Sequence, residues 1–367
     1  MNQYTQKLSN IPPEICSVSD YERQAKDMVE KDIWAYIDSG SGDEICKNNN
    51  LNAFSSYQIW NRVLRNLSQG NTRCTFADVT LPHPIILGPV AHQKLTDPDG
   101  ELATSQAAAA TDSIMVVSTL ASYSLEKIAE CSSQYNWFQL YWQGNRQNTL
   151  ALLQRAINAN YQAVVITVDV PVNGLRRRIQ RSGFSMPLEA SAANIQTPPQ
   201  PNIYADWQSE IFQGWMANAP QWDDIAWLIS QSQLPVYIKG ILHPHDAKMA
   251  QEIGATGIIV SNHGGRALDC APSPLSVLPL IRQQTGKDFP VLLDSGIRQG
   301  SDIFKAIALG ANAVLIGRPQ LFGLIVAGAL GVAHIIKLLR QELEVTMALA
   351  GCATLADIDQ TCLVHPR

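Results

Sequence analysis

Gly257-Ile-Ile-Val-Ser-Asn-His-Gly-Gly-Arg266, Pro290-Val-Leu-Leu-Asp294 and Ala313-Val-Leu-Ile-Gly-Arg318 follow one another along residues 257–318. Each is a short apolar, β-branched run that ends in polar residues or glycine. Runs without polar alternation are strands buried on both faces, the mark of a parallel sheet with crossover helices. Five more such runs lie upstream: Ile85-Ile-Leu-Gly-Pro-Val90, Met115-Val-Val-Ser-Thr119, Trp137-Phe-Gln-Leu-Tyr141, Ala163-Val-Val-Ile-Thr-Val-Asp169 and Pro235-Val-Tyr-Ile-Lys239. The eight starts are 30, 22, 26, 72, 22, 33 and 23 residues apart, the βα period of a closed barrel apart from one gap. Helical patterns at Leu150 to Asn160, His245 to Ile253 and Asp302 to Leu309 fill the intervals. An open doubly wound sheet would alternate in the same way. The strand ends decide between them: Pro89, Ser118, Tyr141, Asp169, Lys239, His263, Asp294 and Arg318 meet on one face only in a barrel. The expected fold is therefore α/β, a (β/α)8 TIM barrel spanning residues 85–367.

Residues 1–84 read as an N-terminal helical extension packed on the barrel. Val18 to Ile37 reads as one helix, with Ser19 as N-cap and Glu22 completing a capping box. The long interval after the fourth strand contains residues 182–215, rich in Pro, Ala, Ser, Asn and Gln and poor in periodicity. Such a loop is expected to be a mobile lid over the barrel mouth. Pro319 to Ile336 carries no formal charge, the lower edge of a membrane span. Its glycines, Gln320 and His334 make it a buried loop and helix instead.

The chain has 46% hydrophobic and 16% charged residues, which excludes a disordered protein. A net charge of −5 supplies no basic field for nucleic acid. The seven cysteines contain no Cys-x-x-Cys pair and no zinc spacing, so no metal is expected and a reducing cytoplasm fits. Met1 to Ile15 lacks the apolar stretch of a signal peptide.

The chemistry concentrates at the strand ends. His263, on a glycine-flexible loop with Arg266 three residues on, is a general-base candidate because its pKa lies near neutrality. Asp169 could orient that ring. Arg176 and Arg266 could grip a carboxylate in forked, charge-assisted hydrogen bonds. Asp294-Ser-Gly-Ile-Arg298 and Gly317-Arg318 follow the seventh and eighth strands, where barrels commonly bind phosphate. With no Walker motif and no Gly-x-Gly-x-x-Gly after a first strand, a phosphate there implies a cofactor other than a P-loop nucleotide or a Rossmann dinucleotide.

Ser261-Asn-His-Gly-Gly-Arg266, Thr167-Val-Asp-Val-Pro171, Ile238-Lys-Gly240, Phe138-Gln-Leu-Tyr141 and Met347-Ala-Leu-Ala-Gly-Cys352 together resemble the FMN-dependent L-2-hydroxy acid oxidase family, which includes glycolate and lactate oxidases. The resemblance covers roughly residues 18 to 358. It implies that His263 takes the α-hydroxyl proton with Asp169 supporting its imidazolium. Tyr36, Arg176 and Arg266 would bind the carboxylate, and Tyr141 the hydroxyl or the developing carbonyl. Lys239 would sit at the flavin edge that gains negative charge. Pro89, Val90, Ala91, Ser118, Gln139, Thr167 and Ser261 match flavin-ring positions; Asp294, Ser295, Gly296, Arg298, Gly317 and Arg318 match ribityl and phosphate positions.

Departures from the family pattern are informative. Ser295 replaces the usual first glycine of Asp-Gly-Gly. Leu120 stands where glycolate oxidases carry tryptophan, opening the substrate pocket. His92 takes a place often held by a non-ionisable residue, where it could touch substrate or simply pack. The stretch Pro171 to Arg176 lacks Gly-Arg-Arg and is closer to bacterial lactate oxidases. The resemblance implies a soluble homotetramer that converts a short L-2-hydroxy acid, L-lactate above others, to a 2-oxo acid with O2 as acceptor and H2O2 as product. The alternatives are a bulkier acid such as mandelate, a quinone-linked dehydrogenase, a non-catalytic flavin-fold protein, or a barrel enzyme using Lys239 as a Schiff base.

Overall fold

The structure is a computed structural model that describes residues 5–76, 79–131, 135–195, 205 and 207–364. Eight strands, Ile85–Leu87 (β1), Met115–Ser118 (β2), Asn136–Leu140 (β3), Ala163–Thr167 (β4), Val236–Ile241 (β5), Gly257–Val260 (β6), Val291–Leu293 (β7) and Ala313–Ile316 (β8), close into a barrel in sequence order. All neighbours run parallel, including the closing pair β8 and β1, where Val314 meets Ile85. The α/β barrel read from the strand ends is the observed fold. Helices Arg146–Asn158, Pro244–Glu252 and Gly300–Ala308 overlap the three helical patterns, displaced by a turn or less toward their caps.

Two apolar layers organise the molecule. One joins the outward faces of the strands to the surrounding helices and to the N-terminal extension. The other fills the barrel with Ile86, Val116, Trp137, Val165, Tyr237, Ile259, Leu292 and Leu315. Trp137 and Tyr237 stack there with ring centroids 4.6 Å apart. Phe76, from the antiparallel pair Cys74–Phe76 and Val79–Leu81, lies edge-on against Trp137, so this hairpin plugs the N-terminal mouth. The C-terminal mouth is left for chemistry.

Three details differ from expectation. Val18 to Ile37 is two helices, Val18–Met28 and Lys31–Asp38, separated by extended Val29 and Glu30. The turn buries Ile33, Trp34 and Ile37, with Trp34 stacked on Phe322, and the second helix carries Tyr36 to the open mouth. The cap is Ser17, not Ser19: its hydroxyl accepts from the Asp20 amide and donates to the Asp20 carboxylate (2.7 Å). Glu22, two residues past the position that could reach back, stands near Arg298. The apolar stretch after β8 contains no loop beyond a kink at Ala327 and Gly328, lying within the helix Arg318–Ala350. That helix is long and apolar enough to cross a membrane, but 67% of its apolar window is buried, against Val18–Met28, Gly100–Ala110 and Gly300–Ala308.

The segment 182–215 carries more structure than its composition suggests. Leu188–Ala190 is a 3-10 turn and Glu210–Trp215 a π-helical one. Its first part is tied to the barrel: the Ala193 amide donates to Ala121 O, and Asn194 Oδ1 accepts from the Leu125 amide. This part lies against the segment that follows β2. Residues 196–204 and 206, where a mobile lid was also expected, lie outside the described residues.

Candidate active site

Side chains alternate along a strand, so the next inward position lies two residues beyond the apolar interior layer. From Ile86, Val116, Trp137, Val165, Tyr237, Ile259, Leu292 and Leu315 that step reaches Gly88, Ser118, Gln139, Thr167, Lys239, Ser261, Asp294 and Gly317. The polar floor of the site is thus a consequence of the pleat. Over it opens a cavity of about 510 Å³ lined by Tyr36, Pro89 to His92, Ser118, Leu120, Tyr141, Arg176, Lys239, His263, Arg266, Asp294 to Arg298, Gly317 and Arg318. Gln139, Thr167 and Ser261 lie in the floor and do not line the open space; Asp169 stands behind His263.

Lys239 is buried and donates to Ser261 Oγ (2.9 Å) while pairing with Asp294 Oδ2 (3.0 Å). Burial pulls its pKa down, but Asp294 and then Asp169 outweigh burial and hold the ammonium above its ordinary value. Gly240, next in the chain, makes this crowding possible. It sits at φ +108 in a β-bulge, and a Cβ there would stand 2.5 Å from Asp169 Cβ. Asp169 Oδ1 lies 2.9 Å from His263 Nδ1. Burial raises the Asp169 pKa, yet the attraction of His263 and Lys239 outweighs it, and the carboxyl is held below its usual range. An ionised carboxylate only accepts. When the His263 ring is neutral, Nδ1 therefore donates to Asp169 and Nε2 keeps its lone pair.

The His263 loop is clamped by two consecutive amides. His263 N–H donates to Ser261 Oγ (3.0 Å), and Gly264 N–H donates to Ser295 Oγ (3.0 Å), which itself donates to Asp294 Oδ1 (2.7 Å). Both hydroxyls thus lead back to the Lys239–Asp294 pair. Ser295 holds φ +74, the region glycine occupies freely. The backbone expected of a glycine is kept, and the hydroxyl compensates for the strain. Ser295→Ala retains the strain and loses both bonds, which costs about 1–3 kcal/mol. Ser295→Gly loses the same bonds but relieves the strain. Thermal unfolding should rank the proteins serine, glycine, alanine from most to least stable; alanine equal to serine would show that the hydroxyl contributes nothing.

The cavity wall is strongly cationic for an acidic protein: Arg176, Lys239, Arg266, Arg298 and Arg318 face one carboxylate, Asp294. Arg318 donates to the carbonyls of Ile37, Gly264 and Ser39. Arg176 donates through Nη2 to Tyr36 O and Ser39 Oγ, with Nε buried and unpaired. Burial, and after it the Arg266 charge, draws both guanidinium pKa values down. Guanidinium groups do not deprotonate in proteins, so both remain charged in the cavity wall. Of the run 176–178 only Arg176 turns inward; Arg177 pairs with Asp43, and Arg178 with Asp38 and Glu44. Arg176 and Arg266 lie 5.2 and 5.4 Å from the Tyr36 ring centroid, so two cations stand at one ring. Arg298 and Arg318 follow β7 and β8 and line the same cavity.

Tyr141 lines the cavity; burial, with Asp169 adding to it, raises its hydroxyl pKa, so the group remains a donor. His92, at φ 56, places Nδ1 2.8 Å from Ala190 O, and its amide donates to Leu120 O. Burial lowers its pKa. Sequence reading missed Met186, Asn173 and Gln180 in the lining and Phe184, stacked on Tyr36 at 4.7 Å. Asn173, Phe184 and Met186 belong to irregular segments after β4 and Gln180 to the short helix Arg177–Ser182, where no periodicity marks a buried face.

The chain matches the FMN-dependent dehydrogenase family over residues 25–365. It is 48% identical over 355 residues to an L-lactate oxidase of Alicycliphilus denitrificans, covering 96% of this chain and 97% of that protein. It is 45% identical to an L-lactate oxidase of a Nostoc species (94% and 96% covered) and 38% identical to glycolate oxidase 3 of Arabidopsis thaliana (95% of each). Among solved structures, mandelate oxidase bound to (S)-2-phenylpropionate superposes with a TM-score of 0.86 at 37% identity, covering 95% of this chain and 98% of that one. The chain belongs to the FMN-dependent dehydrogenase family, and its chemistry is FMN-dependent 2-hydroxy acid oxidation.

The residues present fit FMN. Gln139 Nε2, Thr167 Oγ1 and Arg298 Nε are buried without hydrogen-bond partners, which is costly unless a ligand supplies them. A Cβ on Gly317 would meet nothing within 4 Å, so the backbone borders open space beside the cations that would take a phosphate.

Proposed function

We propose that the protein oxidises L-lactate to pyruvate and passes the electrons to O2, giving H2O2. The observation that carries this reading is the His263–Asp169 pair at a cavity that Arg176, Arg266, Arg298 and Arg318 also line, the first two suited to a carboxylate and the last two to a phosphate. FMN would be held by Gln139, Thr167 and Lys239 at its ring, Pro89, Val90, Ala91, Ser118 and Ser261 around it, and Asp294, Ser295, Gly296, Arg298, Gly317 and Arg318 at the ribityl phosphate. The chemistry that bound FMN supplies is two-electron acceptance and reoxidation by O2.

Arg176, Arg266 and the Tyr36 hydroxyl bind the substrate carboxylate. Tyr141 donates to the α-hydroxyl oxygen and stays with it as the carbonyl develops. His263 Nε2 takes the hydroxyl proton, and Asp169, already ionised, stabilises the imidazolium. Lys239 places a fixed cation where negative charge accumulates. The substrate side chain meets Leu120, Met186 and His92, which leaves room for a methyl group and sets the size limit.

A peroxide-coupled assay across acids of increasing side-chain length tests this. Lactate should lead; a mandelate or long-chain acid ahead of it by about tenfold in kcat/KM would overturn the lactate assignment. Leu120→Trp fills the methyl space and should raise the glycolate-to-lactate ratio of kcat/KM by about tenfold or more. We include a soluble homotetramer in the cytoplasm in the same reading, with light scattering of the purified protein as its check.

A further inference from the structure

Outside the lining of the cavity, Cys352 Sγ and Cys362 Sγ stand 3.8 Å apart. Cys352 follows Gly351, which ends the long C-terminal helix; Cys362 leads into Leu363–Val364, which pairs antiparallel with Gln58–Ile59. The loop between them is firmly built. Asp357 Oδ2 accepts from the Ala353 and Thr354 amides and the Thr354 hydroxyl, Asp359 Oδ1 accepts from Thr361, and both thiols donate to the same carbonyl, Asp357 O (3.5 and 3.6 Å). Cys352 is buried and Cys362 is half-buried, so one sulfur is open to a small oxidant and the other is shielded beside it. That is the arrangement of an attacked thiol and a resolving one. Cys16, Cys131 and Cys270 are more exposed, but among the described residues the two thiols in contact are those of Cys352 and Cys362.

We propose that Cys352 and Cys362 form a redox modification site that H2O2 converts to an intramolecular disulfide. The Cys362 thiolate attacks a peroxide oxygen: an S–O bond forms, the O–O bond breaks, and hydroxide leaves to become water. The sulfur is now a sulfenic acid and the peroxide is reduced. Cys352 loses its proton and attacks that sulfur; the S–S bond forms, the S–O bond breaks, and a second water departs. Side-chain rotation brings the sulfurs from contact to bonding distance. The source of the oxidant rests on the oxidase reading above, since each turnover would release one H2O2. The cross-link would fasten the C-terminal segment to the helix that covers the barrel.

Residues 341–367 contain both cysteines and no Lys or Arg before Arg367, so trypsin places them in one peptide. The holoenzyme is exposed either to added H2O2 or to L-lactate in air, with and without catalase, then alkylated and digested. The expected peptide is lighter by two hydrogens and unalkylated, while the other five cysteines alkylate fully. Cys352→Ser should stop Cys362 at a sulfenic acid trapped by dimedone, and Cys362→Ser should leave Cys352 reduced. Both thiols alkylating fully after added H2O2, or oxidation of Cys16, Cys131 or Cys270 first, overturns the proposal. Disulfide with added H2O2 but none during turnover upholds the site and counts instead against peroxide production.

Discussion

His263→Ala should leave a yellow protein that turns over L-lactate on the order of 10²–10⁴-fold more slowly. The expectation follows from the ring's position. Nδ1 is committed to Asp169 at 2.9 Å, Nε2 belongs to a side chain that lines the cavity, and the backbone is held at φ 59 by the clamped amides. Removing the imidazole takes away the proton acceptor without touching Gln139, Arg298 or Arg318, so flavin content should be unchanged. The loss should fall mainly on kcat, because the carboxylate site formed by Tyr36, Arg176 and Arg266 remains intact. Near-normal turnover with flavin in place would show that another group is the base. Loss of flavin would show that the His263 loop supports the cofactor site more than the chemistry.

Lys239→Met should be the most damaging substitution for stability. The ammonium pairs with Asp294 at 3.0 Å and its charge also lowers Asp169; methionine leaves both carboxylates without their buried cation. Breaking a buried pair in this way costs about 3–5 kcal/mol, a fall in Tm on the order of 5–10 °C. The pH dependence has a definite sign. Lys239 is raised in the folded state, so its contribution is complete below the usual lysine value of about 10.4 and fades as pH rises through the higher folded value. Asp169 is lowered, so its contribution is complete above the usual aspartate value of about 3.9 and fades as pH falls through the lower folded value. The stability gap between the two proteins should be flat from about pH 5 to 9 and narrow on either side. A gap that grows in acid would mean the carboxylates are not the partners. FMN should also bind more weakly to the variant, since Lys239 is the buried cation of the floor.

The parts of the fold that could be read from the chain are those fixed by burial on both faces. Ala163-Val-Val-Ile-Thr167 or Val291-Leu-Leu293 can hardly be anything but an interior parallel strand, and the polar residue closing each run marks the catalytic end. The polar floor was legible for the same reason, because the pleat carries Tyr237 to Lys239 and Leu292 to Asp294. Features set by tertiary contact were not. Nothing between Met28 and Lys31 breaks a helix by type; Val29 and Glu30 become extended so that Trp34 can reach Phe322. Ser17 and Ser19 are equally good caps in isolation, and only the position of Asp20 selects the first. Phe184 and Met186 come to the site from an irregular segment, by packing on Tyr36 and beside the cavity. The basic run 176–178 gave no sign that Arg177 and Arg178 would turn to Asp43, Asp38 and Glu44.

The relation between Ser295 and its neighbours carries the same lesson in reverse. A side chain at a glycine-type position first reads as a defect in a phosphate loop. In place, its hydroxyl ties the His263 loop to the Lys239–Asp294 pair, so His263 and the buried cation share one network.

The visible spectrum of the purified protein under anaerobic conditions, before and after addition of L-lactate, tests the central claim most directly. A flavin spectrum that bleaches with lactate, then returns with release of H2O2 when air is admitted, is the result predicted from the His263–Asp169 pair and the arginines that line its cavity. A bound flavin that stays oxidised with lactate and with larger 2-hydroxy acids, or a colourless protein that takes up no FMN, would contradict it.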